Sequence, residues 1–188
     1  MDDIKYCSDS YWDDRYSKTT QSYDWYISPS ILIKLFDNII DINHKILHIG
    51  CGNSLLSEEL YNIGYNNNNI YNLDISRTII HKQSEKYIDY KMKWICQNIV
   101  ESSNLKKNVF DIIIDKATLD SIACNNYKLV SKAFKCIIKI LKVGGIFILV
   151  SINQDILNNC EIDLIDIVDV KNTIHKSKYI YIYILQKK

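Results

Sequence analysis

The sequence predicts a doubly wound α/β fold, with a mostly parallel seven-stranded sheet that ends in an antiparallel β-hairpin. Three observations support this fold class. Short apolar runs alternate with segments of helical periodicity over most of the chain, which is typical of a parallel sheet with helices on both faces. A glycine turn, Gly50-Cys51-Gly52, follows the first clear apolar run. The tail then changes to two strand-like runs in succession, which indicates a hairpin.

The first predicted strand and the turn after it form a candidate cofactor site. Residues 46–49 are a short apolar run of the kind that forms a buried parallel strand, and residues 54–60 have helical spacing. A strand, a glycine turn and a helix start direct backbone N–H groups and the positive end of a helix dipole toward a ligand. The same turn is also consistent with a tight connection that binds nothing. Asp74 favours a nucleoside-type cofactor, because it closes a second strand-like run, 70–73, where a carboxylate can bind ribose hydroxyls.

Aromatic residues dominate the segment before the first strand. They occur in the strings Tyr11-Trp12-Asp13-Asp14-Arg15-Tyr16 and Tyr23-Asp24-Trp25-Tyr26. The segment has little aliphatic periodicity, so it is not an ordinary core element. Two explanations stay open from the residues alone: the rings cover the edge of the domain, or they form a lid that stacks on a planar or cationic ligand.

The remaining elements follow in order. Pro29 fits the first position of a helix whose apolar face would be Ile31, Leu35 and Ile39. Ser76 is a candidate N-cap for a helix that continues to about residue 87. Further strands are predicted at 92–96, 109–114, 146–152, 162–170 and 179–185, and the last two are joined by a hairpin loop around Asn172. A helix is predicted at 127–141, and Gly144-Gly145 is expected to end it. The lysines on one face of that helix are interpreted as a solvated surface.

Composition and charge limit the class of protein. The 188 residues are 47% hydrophobic and 24% charged, as expected for one globular domain. The net charge of +1 gives no attraction to nucleic acid or to an anionic membrane, and we expect neither as a partner. No apolar run approaches the ~18 residues of a membrane helix, and the N-terminus lacks signal-peptide features, which predicts a soluble, cytoplasmic protein. The six cysteines form no CxxC pair, so no metal site is expected.

Ligands of doubly wound sheets bind beyond the carboxyl ends of the strands. The residues predicted to lie there are Gly50, Cys51, Gly52, Asp74, Ile75, Asn98, Ile99, Asp115 and Lys116. With no internal repeat, we expect one domain over 1–188. Within it, residues 1–44 would form an aromatic lid and first helix, 45–152 the cofactor-binding core, and 153–188 the terminal hairpin.

The chain resembles the class I S-adenosylmethionine-dependent methyltransferases. More narrowly, it resembles the small methyltransferase-like proteins that include the lysine methyltransferases of translation elongation factor 1A. The resemblance rests on the two aromatic strings, on Gly50-Cys51-Gly52-Asn53-Ser54, on Asp74, and on Asp115-Lys116-Ala117-Thr118-Leu119-Asp120. It covers the chain from the aromatic N-terminus through the fourth strand and implies a Rossmann-like sheet.

The resemblance also implies a role for each matching residue. Trp12, Tyr16 and Trp25 would cover the methionine part of the cofactor. The backbone would approach it at Gly50 and Gly52, with the small Cys51 between them. Asp74 would hold the ribose, and the adenine would be flanked by Ile75, Asn98 and Ile99. Lys116 would lie near the carboxylate end of the cofactor or near the transfer site. The family usually has Asp at the position of Asn98, whose amide can still donate and accept. His48, where the broad superfamily has an acidic residue, is interpreted as a packed side chain.

Methyl transfer requires the acceptor, the methyl group and the sulfur to be held in line, while the cofactor supplies the chemistry. A lysine acceptor must also be neutral, against a free pKa of about 10.4, and apolar aromatic walls favour that form. Asp115 is the candidate catalytic residue, which would orient the amine or take its proton. Asp120 is a second candidate, although a helix N-cap is the favoured interpretation for it.

The sequence therefore predicts an S-adenosylmethionine-dependent protein-lysine methyltransferase, with elongation factor 1A as the acceptor and S-adenosylhomocysteine as the product. A small-molecule methyltransferase and a non-catalytic binding protein of the same fold are alternatives. A dinucleotide-dependent oxidoreductase is disfavoured, because Leu55 occupies the third glycine position of GxGxxG.

Overall fold

A computed structural model of the chain describes all residues except 1–5, 7, 20, 37, 102–104, 125 and 176. The helices are α1 Asp9–Lys18, α2 Pro29–Phe36, α3 Leu56–Asn62, α4 Arg77–Lys86, α5 Thr118–Ala123 and α6 Tyr127–Ile140. The strands are β1 Ile46–Ile49, β2 Ile70–Asp74, β3 Lys93–Cys96, β4 Phe110–Lys116, β5 Leu141–Ser151, β6 Ile165–His175 and β7 Lys178–Lys187.

The seven strands form one sheet in the order β3-β2-β1-β4-β5-β7-β6. The first five strands pair in parallel, whereas β7 is antiparallel to both β5 and β6. The predicted fold class is therefore confirmed. The order reverses at β1 and β4, and in sheets of this kind ligands bind at that point, beyond the carboxyl ends of the strands.

Both faces of the sheet are covered by apolar side chains. On one face, Phe36 of α2 and Leu60 of α3 pack in a cluster with Ile46 of β1. On the other face, Phe134 of α6 packs in a cluster with Leu47 of β1. All four residues of β1 are buried, as expected for a central strand with helices on both sides. No helix among the described residues has the length and apolarity that crossing a membrane requires.

The buried face of α2 differs from the predicted one. Leu32, Ile33 and Phe36 are buried, whereas Ile31 is 55% exposed. The helix ends at Phe36, so Ile39 lies in the turn beyond it. The sequence supports two apolar stripes on this short helix, and contact with α3 and the sheet selects one of them.

Gly144 and Gly145 do not end α6, contrary to the prediction. The helix ends at Ile140 and β5 begins at the next residue. The glycines lie inside β5, where the register with β4 shifts and Gly144 has a φ of +75°. A Cβ at Gly145 would lie 2.9 Å from the carbonyl oxygen of Asp111, so the pair permits a bulge at a close approach of two strands.

The hairpin loop is also displaced from its predicted position. Asn172 lies within β6 and pairs with Tyr181 of β7. The strands continue to His175 and Lys178, and Ser177 adopts a φ of +63° between them. The long antiparallel ladder thus extends past the asparagine, which the sequence pattern had suggested as a turn residue.

Candidate functional site

A cleft of about 730 Å³ lies at the carboxyl ends of the central strands. This volume falls within the range of about 300–1,000 Å³ that is typical of small-molecule and cofactor sites. Every residue predicted to bind the cofactor lines it: Trp12, Tyr16, Trp25, Gly50, Cys51, Gly52, Asp74, Ile75, Asn98, Ile99 and Lys116. Asp115, the predicted catalytic residue, is not among the lining residues.

The glycine turn after β1 forms the floor of the cleft. Gly50 and Gly52 have φ values of +55° and +50°, which favour glycine. A side chain at Gly50 would overlap the hydroxyl group of Thr118, and a Cβ at Gly52 would lie 2.5 Å from the hydroxyl oxygen of Tyr16. The protein's own packing, in addition to any ligand, therefore requires both glycines. Cys51 between them is buried, and burial raises the pKa of its thiol, so it is a neutral packing residue.

Asp74 at the end of β2 holds the turn in place. Its two carboxylate oxygens accept hydrogen bonds from the backbone N–H groups of Gly52 at 2.8 Å and Ser76 at 2.9 Å. Burial raises the pKa of Asp74 to about 6, while these N–H groups favour the charged form. Each carboxylate oxygen has a second lone pair. The ionised side chain can therefore accept further hydrogen bonds from hydroxyl groups in the cleft.

The first aromatic string is tied to α4, and its rings line the cleft. The carboxylate of Asp13 accepts hydrogen bonds from the Ser76 hydroxyl at 2.5 Å and from the Thr78 N–H at 2.8 Å. Tyr16 is buried, and the ring of Trp12 is stacked on it with centroids 5.7 Å apart. These contacts fix α1 at the strand ends, which favours the lid explanation over a simple cover of the domain edge.

The second aromatic string is held by Asp24. Its carboxylate forms an ion pair of 2.9 Å with the Lys116 ammonium, and the two side chains are 14% and 2% exposed. It also accepts hydrogen bonds from the Ser54 hydroxyl and, at 3.2 Å, from the Leu55 N–H. Burial opposes ionisation of Asp24, but the ammonium and these donors keep its pKa below the usual value. Burial lowers the pKa of Lys116, and the Asp24 carboxylate opposes that shift.

Sequence reasoning missed the roles of Asp13 and Asp24. The available signal was that each carboxylate stands inside an aromatic string, where a packing residue would be apolar. The ion pair also changes the interpretation of Lys116. Lys116 is among the lining residues of the cleft, but its ammonium is already paired with Asp24 within the protein.

His48 on β1 is a packed residue, as the sequence indicated. It is 1% exposed, and its Nδ1 lies 3.4 Å from the Ser57 hydroxyl, which in turn donates to Asn72 at 2.5 Å. Burial and the nearby Lys116 ammonium lower the pKa of His48 to about 3. The imidazole is therefore neutral at physiological pH and takes no part in the cleft.

The carboxylates of Asp115, at the end of β4, and Asp120, in α5, exchange their expected roles. Asp115 is fully buried, and its oxygens accept hydrogen bonds from the N–H groups of Thr118 at 2.7 Å and Leu119 at 3.0 Å, at the start of α5. Burial raises its pKa to about 7. Asp120 does not cap this helix; it lies within α5 and lines the cleft. The geometry thus favours a capping role for Asp115.

Asn98, beyond β3, lines the cleft beside Ile99. Its side-chain oxygen accepts a hydrogen bond from the Val100 N–H at 3.0 Å, which caps the short 3-10 helix Ile99–Glu101. An aspartate here would make the same contact through a carboxylate oxygen. The replacement of Asp by Asn therefore preserves the local structure at this corner of the cleft.

Comparison with known families agrees with this geometry. The profile described as "Methyltransferase domain" matches residues 47–149, which is more than half of the chain. The chain belongs to this methyltransferase domain family. The matched region of the methyltransferase contains β2 to β4 and nearly all of β1 and β5, together with the glycine turn, Asp74 and Asp120.

Curated relatives point to a narrower group. The methyltransferase is 27% identical over 154 residues to the "eEF1A lysine and N-terminal methyltransferase" of Danio rerio, covering 80% of this chain and 22% of that protein. It is 28% identical over 154 residues to the protein of that name in Mus musculus, covering 78% and 22% respectively. The chain thus spans about a fifth of the length of these relatives.

Solved structures share the whole fold. The magnesium protoporphyrin IX methyltransferase of Synechocystis PCC 6803, solved with bound S-adenosylmethionine, superposes with a TM-score of 0.69. The sequences are 14% identical, and the match covers 100% of this chain and 98% of that chain. The family resemblance and the Rossmann-like fold predicted for the methyltransferase are confirmed.

Proposed function

We propose that this methyltransferase uses S-adenosylmethionine to methylate a lysine side chain of a protein, with translation elongation factor 1A as the acceptor. The domain family and the solved structure with bound S-adenosylmethionine support the cofactor. The names of the curated relatives support the acceptor. An acceptor of this kind implies a protein partner and a cytoplasmic location.

The observation that carries the proposal is the attachment of the aromatic segment above the strand ends. Asp13 ties the first string to α4, and Asp24 ties the second to the glycine turn and to Lys116. Trp12 and Trp25 are among the residues that line the resulting cleft. Aromatic rings attract cations, which suits a sulfonium group.

Other lining residues suit the nucleoside part of the cofactor. Asp74 is ionised at neutral pH, so it can accept hydrogen bonds from ribose hydroxyls. Ile75 and Ile99 provide apolar surface for adenine. The ion pair of Lys116 with Asp24 neutralises the ammonium, which would otherwise repel a sulfonium nearby.

When bound, the cofactor supplies an electrophilic methyl group. The protein contributes positioning, which is worth about 7–11 kcal/mol when reacting groups are held in contact and in line. The aromatic segment and the glycine turn both line the cleft, so they are the parts of the chain that would hold the cofactor in position.

Calorimetry with S-adenosylhomocysteine and with NAD tests the cofactor. We expect the first compound to bind and the second not to bind. Asp74→Asn should weaken S-adenosylhomocysteine binding about tenfold or more, because a charged hydrogen-bond acceptor is lost. Asp166→Asn, on the exposed edge strand β6, is the matched control and should bind normally. Binding of NAD alone would reject the proposal.

Transfer of a radiolabelled methyl group to purified elongation factor 1A tests the acceptor, and mass spectrometry of the labelled protein locates the modified lysine. Label in a small molecule of a lysate, with none in protein, would support the small-molecule alternative instead. Cofactor binding without transfer to any acceptor would support a non-catalytic binding protein.

A further inference from the structure

We infer that Asp120, oriented by Tyr26, binds and deprotonates the acceptor amine in the second half of the cleft. This inference rests on the proposed function, because it assigns the acceptor subsite of the same cleft. It also specifies the class of acceptor: a primary ammonium group on a flexible alkyl chain, in preference to a carboxylate or a neutral alcohol.

The cleft has two halves that follow from the strand order. The predicted cofactor residues from Gly50 to Ile99 lie above β1, β2 and β3. The other half lies above β4 and β5, and its walls come from the aromatic segment, α5, the start of α6 and the residues after β5. The lining residues there are Tyr6, Tyr26, Asp120, Ser121, Ile122, Cys124, Tyr127, Ile152 and Asn153. A cofactor in the first half leaves this second half to the acceptor.

Asp120 is a fixed carboxylate in that second half. Its side chain accepts hydrogen bonds from the hydroxyl of Ser151, the last residue of β5, at 2.6 Å and from the N–H of Ile152, the next residue, at 3.3 Å. It is 8% exposed, so it contacts the cleft but is otherwise enclosed. The start of α5 does not need this carboxylate as a cap, because Asp115 already accepts hydrogen bonds from the first N–H groups of the helix.

Tyr26 reaches Asp120 from the aromatic segment. Its hydroxyl lies close enough to the Asp120 carboxylate that each group affects the pKa of the other. Tyr26 has a φ of +65°, and the Ile27 N–H donates to the Trp25 carbonyl at 2.7 Å across it, which is the pattern of a strained γ-turn. A bulky residue in this conformation is uncommon, and such strain concentrates at functional sites. Here it directs the phenol toward the carboxylate.

The charges of the cleft favour a cationic acceptor. The acidic side chains that line it are Asp74, Glu101 and Asp120. The described lining residues contain one cation, Lys116, which is paired with Asp24. An incoming ammonium group therefore meets an uncompensated carboxylate, whereas an incoming carboxylate would be repelled.

The proton and electron balance of the step is complete with these residues. The acceptor ammonium donates one proton to the Asp120 carboxylate and becomes a neutral amine. Its lone pair forms the N–C bond as the C–S bond of the cofactor breaks, and the bonding pair stays on sulfur. The products are a methylated ammonium group and S-adenosylhomocysteine, and Asp120 then releases its proton to solvent through the mouth of the cleft. Burial raises the pKa of Asp120, which makes it a stronger base than an exposed aspartate.

A binding experiment tests the site without knowledge of the protein acceptor. The full chain loaded with S-adenosylhomocysteine is titrated with n-butylamine, a surrogate for the lysine side chain, and followed by saturation-transfer NMR. The neutral analogue n-butanol is the ligand control. We expect n-butylamine to bind about tenfold or more weakly to Asp120→Asn than to the wild type, and n-butanol to bind weakly to both. The exposed Asp163→Asn is the matched protein control.

The pH profile of methyl transfer to elongation factor 1A tests the role of Tyr26. The titratable groups that face Asp120 are Tyr26 from the aromatic segment, Asp115 from β4 and Tyr183 from β7. The Tyr26 hydroxyl lowers the pKa of Asp120, so Tyr26→Phe should move the acidic limb of kcat/KM to higher pH. Tyr26→Phe should bind S-adenosylhomocysteine with an affinity within twofold of that of the wild type. Because it keeps the hydrogen bonds of Asp120 to Ser151 and Ile152, it still tests the site if Asp120→Asn fails to fold.

The outcomes separate this inference from the proposed function. If S-adenosylhomocysteine does not bind the wild type, the proposed function itself fails. If it binds, but n-butylamine binds Asp120→Asn as well as it binds the wild type, or n-butanol binds as well as the amine, the inference is overturned. An unchanged acidic limb in Tyr26→Phe would overturn the positioning role of that residue.

Discussion

Substitution of Lys116 by Met tests whether a buried ion pair holds the aromatic segment over the cleft. Methionine keeps most of the unbranched side chain but removes the ammonium, which leaves the Asp24 carboxylate without its partner. The Lys116 side chain is 2% exposed and that of Asp24 is 14% exposed, so water cannot replace the lost charge. Removing one partner of such a pair costs about 3–5 kcal/mol in the free energy of unfolding. For a chain of this size, the melting temperature should fall by roughly 6–20 °C.

The loss should depend on pH. In the wild type the pKa of Asp24 is lowered, so the pair contributes stability above the unfolded pKa of Asp24, and that stability is lost as the pH falls through the lower folded value. Lys116→Met raises the folded pKa of Asp24. Its destabilisation should therefore be largest near neutral pH and should shrink as the pH approaches about 4, where Asp24 takes up a proton.

Urea denaturation followed by circular dichroism measures the loss. Lys18→Met is the matched control, because its ion pair with Asp14 is 71% and 65% exposed and should contribute only about 0–1 kcal/mol. The double variant Asp24→Asn/Lys116→Met should recover part of the stability, since no buried charge is left unpaired. A loss below about 1 kcal/mol in Lys116→Met, or a double variant less stable than Lys116→Met, would refute the reasoning.

Three further predictions follow from the site. Gly50→Ala should lower the free energy of unfolding by about 2–5 kcal/mol, because the new side chain combines a positive φ with overlap on Thr118. Gly144→Ala also has a positive φ but meets open space, so it should lower the free energy of unfolding by about 1 kcal/mol. Urea denaturation measures both losses, and equal losses would contradict the packing argument. S-adenosylhomocysteine should bind about tenfold more weakly at pH 5 than at pH 7, because Asp74 with a pKa of about 6 takes up a proton; a flat calorimetric profile would contradict its ribose role. Asp13→Ala should free α1 and speed tryptic cleavage within it, and an unchanged rate would show that other contacts hold the helix.

Patterns within short windows were sufficient to predict most of the fold. Alternating strands and helices, the terminal hairpin and the helix N-cap at Ser76 were all correctly predicted. The errors occurred where two local patterns competed. The short helix α2 carries two apolar stripes, and the pair Gly144 and Gly145 suits a helix end as well as a bulge. Packing against neighbouring elements decided between the alternatives, and a single sequence does not contain that information.

The half of the cleft assigned to the cofactor was also accessible from the sequence. Gly50, Gly52 and Asp74 stand at the ends of consecutive parallel strands, so the topology alone brings them together. The same logic placed Asp115 at the strand end, where it does lie, but gave no means to decide whether Asp115 or Asp120 faces the cleft.

That choice depends on tertiary structure. Ala117 adopts a φ of +79° between β4 and α5, and this turn aligns the Asp115 carboxylate with the first N–H groups of the helix, which leaves Asp120 to face the cleft. The ion pair between Asp24 and Lys116 likewise joins segments far apart in the chain. Hydrophobic periodicity and turn residues act over a few neighbouring positions, so the sequence determined the elements and their order. Partners of buried charges are selected by desolvation in the folded interior, and only the assembled sheet with its aromatic segment brings those partners together.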